Sequence, residues 1–95
     1  MKESCQDLAN HQIVTLAAYL LGGDAHKVDT EDIAKKANEL APGRFTWRKY
    51  PDQISIDAVR KGLWDATRTD KGGLLKGTAR GGWIPTDAGR ARTRG

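Results

Sequence analysis

Ninety-five residues, 38% of them apolar and 29% charged, make one small globular unit with glycine-rich turns, too short for two independent cores or an elaborate catalytic architecture. No run approaches the ~18 apolar residues of a membrane span, Met1 to Asp7 lacks the order of a signal peptide, and the single Cys5 cannot form an internal disulfide, so a cytoplasmic protein held by packing alone is expected. The net charge of +4 divides into −3 over residues 1–41 and +7 over residues 42–95; a basic half of this kind marks a surface that meets a polyanion, the plain alternative being a solvated basic tail.

From Asp7 to Leu21, apolar residues recur at Ile13, Leu16, Ala17, Leu20 and Leu21, the spacing of an amphipathic helix, and Gly22-Gly23 stops it. Leu8, Val14 and Tyr19 lie toward the flanks of that stripe, which makes this helix the expected surface for a two-fold homodimer. A short extended piece, 24–28, leads to Asp29 and Thr30, which compete as N-caps of a second helix. Glu31 and Asp32 then sit in the first turn, where carboxylates meet the positive end of the helix dipole. Ile33, Ala37 and Leu40 share one side of this helix, and Pro42-Gly43 ends it.

The stretch Arg44-Phe45-Thr46-Trp47-Arg48-Lys49-Tyr50-Pro51 has no clean period and reads as an extended connector whose rings pack partly on the core. A third helix starts at Ser55, with Ile54 before this N-cap and Val59 four positions after it, the arrangement of a hydrophobic staple. Ile56, Val59, Leu63 and Ala66 form its inner side, and Asp57, Lys61, Trp64, Asp65 and Arg68 its outer one. After Gly72-Gly73 come Leu74-Leu75 and Trp83-Ile84, separated by a Gly/Lys/Arg-rich turn: a β-hairpin with a basic tip, in which Pro85 is tolerated at a strand end. Thr86 or Asp87 then caps a last helix that lacks an apolar stripe. Residues 1–89 form the domain, and 90–95 are a basic tail or the start of a truncated helix.

Three helices followed by a two-stranded hairpin with a Gly/Arg tip resemble the winged helix-turn-helix family, an α+β fold in which the second and third helices form the helix-turn-helix and the hairpin is the wing. The likeness covers roughly residues 8–89. Its most specific piece, Gly82-Trp83-Ile84-Pro85-Thr86-Asp87-Ala88-Gly89, is similar to the aromatic-x-Leu-Thr-x-x-Gly ending of many wings. The chain departs from the pattern at Pro85, which replaces an aliphatic residue, and in the connection from Leu40 to Ser55, longer than that of a standard helix-turn-helix.

The resemblance implies a bacterial-type regulator, or a module of a larger nucleic-acid-processing system, that binds double-stranded DNA. It implies that the third helix turns Ser55, Asp57, Lys61, Trp64 and Arg68 toward the major groove, while Lys76 and Arg80 on the wing meet phosphates or the minor groove. Arg44, Arg48 and Lys49 of the basic connector complete the expected nucleic-acid-binding set. Asp57 and Asp65 on the same helix face repel phosphates, and winged helices also serve as protein-binding modules. The second reading is therefore a dimerisation or protein-docking domain that acts through the first helix, Trp64 or the 44–51 connector without direct DNA contact. Trp47 and Trp83 are expected in the core; Trp64 is either covered by the connector or exposed as an anchor for a partner.

Other chemistry finds little footing. Cys5, His11 and His26 do not have the spacing of a zinc site, and Cys5 lacks a positioned base. Gly72 to Thr78 lacks the Gly-Lys-Ser/Thr ending of a phosphate loop, and capping accounts for the acids at helix starts. No enzyme activity, cofactor or metal is expected.

Overall fold

The computed structural model describes residues 8–23, 26–50, 52–78 and 80–89. The chain is a small α+β domain. α1 (Asn10–Ala18) runs into a π-helical turn, Tyr19–Gly23; α2 (Thr30–Leu40) and α3 (Ile56–Thr67) follow; a 3₁₀ turn, Thr69–Lys71, leads to β1 (Leu75–Thr78) and β2 (Gly82–Pro85). The core lies between the three helices and the inner face of the hairpin, with Ile13, Ile33, Phe45, Val59, Leu63, Leu75 and Trp83 all buried. Cys5, Asp7 and the 90–95 tail lie outside the described residues.

α1 begins where the Gln12 side chain accepts the Ala9 backbone N–H at 2.8 Å. Its buried side is Ile13, Val14, Ala17 and Ala18, whereas Leu16 is half-buried and Leu20 is 51% exposed. The inner stripe is thus turned away from the expected Leu16–Leu20 line. α3 packs on the Val14 side, where a Cβ on its Gly62 would make ordinary contact, 3.5 Å from Val14 Cγ1 and from the Asn10 carbonyl oxygen. Val14 is therefore core. Of the three residues expected to form a self-association surface, only Leu8 and Tyr19 keep part of their surface in water.

Asp29 takes the N-cap position of α2 without a side-chain capping bond, and Thr30 is the first helical residue. Over its described residues, 44–50, the basic stretch is not an extended connector. Phe45 enters the core, Thr46 and Ile54 pair in an antiparallel bridge, and Ser55 N–H donates to the Phe45 carbonyl at 2.7 Å, so the chain closes into a loop. Trp47 lies beyond this closure and is 52% exposed, contrary to the expectation of a core residue; Phe45 already fills the place that the loop reaches. α3 starts as expected, with Ser55 Oγ accepting the Ala58 N–H at 3.3 Å and Val59, Leu63 and Ala66 buried.

The hairpin is antiparallel, with Leu75 opposite Pro85 and Thr78 opposite Gly82, so its strands extend further than the two apolar pairs read from the sequence. Gly77 needs to be glycine: its φ is 135°, and a Cβ there would run into the Gly82 carbonyl. The piece before α2 also joins the sheet. Val28 and Trp83 exchange two backbone hydrogen bonds of 2.8 Å, so the spatial order is Val28, β2, β1. Trp83 is core, as expected, and its indole N–H donates to Thr30 Oγ1 at 2.8 Å. Thr86, not Asp87, caps the helical turn at 87–89. Its N–H donates to the Leu74 carbonyl, its hydroxyl donates to the Gly73 carbonyl at 2.6 Å, and its oxygen accepts the Gly89 N–H at 3.2 Å. Among the described residues no helix is long and apolar enough to cross a membrane.

Candidate nucleic-acid interface

The 3.6-residue period of α3 that buries Val59, Leu63 and Ala66 necessarily turns the intervening residues outward. Lys61 is exposed and Trp64 is 65% exposed, so the 45–50 loop does not cover this tryptophan. Beside them stands Arg60, which the sequence reading passed over although it lies one helical turn before Trp64 and so shares its face. Its only ion pair among the described residues is a 3.9 Å approach to Asp57 between two well-exposed side chains, a weak restraint.

Arg60, Lys61 and Trp64 meet Thr78 and Trp83 of the hairpin around a notch of about 370 Å³. Its lining is mostly apolar, with two indoles and the two long side chains of Arg60 and Lys61 among the residues that form it. A second cleft, between the start of α2 and the start of α3, is also about 370 Å³ but is lined by Asp29 and Glu31 with Thr30, Ile56 and Arg60. Two carboxylates there disfavour phosphate. The notch between α3 and the hairpin is the better match to a polyanion.

The hairpin contributes cations of its own. Lys76 is exposed on β1, and Arg80 is exposed at the tip, where Thr78 Oγ1 accepts the Gly81 N–H at 2.8 Å and so shapes the turn. Lys27 was also missed, because it belongs to the acidic half of the chain. The Val28–Trp83 bridge brings it against the hairpin, with its Cβ 3.0 Å from where a side chain on Gly82 would begin. Lys27, Lys61, Lys76 and Arg80 form no ion pair with another described residue.

Three expected contact residues have internal roles. Ser55 is a helix cap. Arg44 donates to the Leu8 carbonyl at 2.8 Å and to Asn10 Oδ1 at 2.9 Å, fastening the loop after α2 to the start of α1. Arg68 forks onto Asp70 through Nε at 3.0 Å and a terminal nitrogen at 2.9 Å. These hydrogen bonds hold the Asp70 carboxyl below the usual carboxylate range and raise the Arg68 guanidinium further. Arg48 and Lys49 are exposed on the loop between Thr46 and Ile54 and are not among the residues that line the notch. Asp57 is exposed in the first turn of α3 and Asp65 is half-buried, so Asp57 is the principal negative charge of the outer face. Among the described residues no group of His, Cys, Asp and Glu is placed to hold a metal ion.

The chain matches no family model, and no curated protein or solved structure is significantly similar to it.

Proposed function

We propose that this chain is a winged helix-turn-helix domain that binds double-stranded DNA, as a regulator or as a module of a larger nucleic-acid-processing system. The observation that carries the reading is the common notch: α3 and the hairpin share one surface, with Arg60, Lys61 and Trp64 on one wall and Thr78 and Trp83 on the other. The order Val28, β2, β1 supports it as well, since the bridge from Val28, just before α2, to Trp83 of β2 ties the hairpin to the helices.

In this reading α3, roughly 18 Å long at 1.5 Å per residue, lies along the major groove, which is about 12 Å wide. Arg60 and Lys61 meet phosphates or guanine edges. Lys76 and Arg80 on the wing neutralise phosphates and supply affinity with little sequence preference. Ser55, Arg44 and Arg68 act by holding the start and end of α3 and its flanking loop in place.

A salt series with random duplex DNA, read by fluorescence anisotropy, tests the proposal. Log affinity should fall linearly with log salt, by about 0.9 for each phosphate contacted, and Lys76→Ala with Arg80→Ala should flatten the slope by roughly one to two units. Binding that ignores salt, or no binding at low salt, overturns it. One observation favours a second reading: Trp64, 65% exposed and lining a mostly apolar notch, has the character of an interface anchor. A protein-docking domain would lose its partner on Trp64→Ala and keep it on Lys76→Ala with Arg80→Ala.

A further inference from the structure

Trp47 and Tyr50 each leave 52% of their surface in water, although a domain of 95 residues has few large rings to bury. Their exposure does not come from a loose segment. Phe45 anchors one end of the loop in the core, the Thr46–Ile54 bridge closes it, Trp47 N–H donates to the Gln53 carbonyl at 3.2 Å, and Gln53 N–H donates to the Tyr50 carbonyl at 3.0 Å. The two rings meet edge to face, with centroids 6.0 Å apart and planes inclined by 65°. They are held against each other and outward.

The charge around the rings selects what can cover them. Arg48 and Lys49 stand between them in the sequence, both exposed and without an ion pair to another described residue, and the only acid from Thr46 to Ile54 is Asp52. An apolar protein surface would match the rings and strand the two cations without counter-charges. Duplex DNA would match the cations, but its bases are stacked on one another and offer only edges to the grooves. An unpaired strand supplies both parts: bases with open faces and a phosphate beside each one.

We infer that the loop tip from Trp47 to Tyr50 is a binding site for unpaired nucleotides, whose bases stack on Trp47 and Tyr50 while the adjoining phosphates take Arg48 and Lys49. None of these residues lines the notch between α3 and the hairpin, so the site does not depend on the duplex-binding reading and can hold or fail separately.

The test is anisotropy with a short labelled oligothymidylate and, in parallel, a blunt random duplex. Trp47→Ala with Tyr50→Ala should weaken oligothymidylate binding about tenfold or more, and Trp47→Phe with Tyr50→Phe should stay within about threefold of wild type, since stacking needs a ring and not its polar atom. Both pairs should leave duplex affinity unchanged. Should the alanine pair melt early, Arg48→Gln with Lys49→Gln carries the test alone: it should flatten the salt slope on oligothymidylate by about 1.4, at ~0.7 per phosphate on a single strand. The proposal is overturned if the alanine pair binds oligothymidylate as wild type does, or if it loses duplex and single strand equally. It is also overturned if wild type ignores oligothymidylate, whether or not it binds phosphatidylserine vesicles through these rings, or if the glutamine pair leaves the oligothymidylate salt slope unchanged.

Discussion

Thr30→Val removes one hydroxyl and keeps the shape of the side chain, at the point where the hairpin is fastened to the start of α2. Thr30 is 7% exposed and Trp83 is 2% exposed, and the indole N–H reaches Thr30 Oγ1 at 2.8 Å. Valine would leave that N–H buried without its acceptor. A stranded buried donor costs about 1–3 kcal/mol, against about 1 kcal/mol for the net worth of an ordinary hydrogen bond, so a loss near 2 kcal/mol is expected. For a domain of this size each kcal/mol moves the melting temperature by roughly 4–8 °C, and the variant should melt about 8–16 °C below wild type. Thr30→Ser keeps the acceptor and should lose less than half as much. In a Trp83→Phe background, where there is no indole to strand, Thr30→Val should cost about 1 kcal/mol less than it does alone. Thermal and urea melts of the five proteins, wild type included, read these differences, with the urea midpoint moving and its slope constant. A Thr30→Val protein that melts within about 3 °C of wild type, or a cost that is the same in both backgrounds, means that this bond does not fasten the hairpin.

Ser55→Ala removes the cap on α3 and should lower stability by about 1 kcal/mol in a urea melt, with Ser55→Asp close to wild type. Gly77→Ala combines a φ of 135° with a collision against the Gly82 carbonyl, so a loss of about 2 kcal/mol or more is expected, visible as a lower urea midpoint. Asp70 should titrate below 3.8 by NMR, and Arg68→Gln should return it toward that value. Because its folded pKa is the lowered one, any stability that Asp70 contributes is present above its unfolded pKa and disappears as pH falls through the folded value. A midpoint unmoved by Arg68→Gln would mean that the Arg68 hydrogen bonds are not what lowers it.

What could be read along the chain was whatever neighbours in sequence decide. Ser55, Ile54 and Val59 mark the start of α3 within one helical turn, and the glycines around β1 and β2 mark the hairpin, because capping, side-chain period and positive φ are local matters. Lys61, Lys76 and Arg80 were placed outside for the same reason, and they are outside; cover for Trp64 was left open, and it is 65% exposed. Packing between distant segments decided the rest. The buried side of α1 depends on where α3, far along the chain, packs against Val14, and the choice of Phe45 over Trp47 for the core depends on where the Thr46–Ile54 bridge closes. Arg44 looked like any other cation of the basic half until the fold brought it to Leu8 and Asn10, and Lys27 looked like part of the acidic half until the Val28–Trp83 bridge carried it to the hairpin. Composition therefore determined that this protein carries an excess of cations, concentrated in residues 42–95. Which of its cations face outward and which brace the fold was decided only in three dimensions, because an arginine commits to an internal acceptor when packing brings one within about 3 Å of its guanidinium.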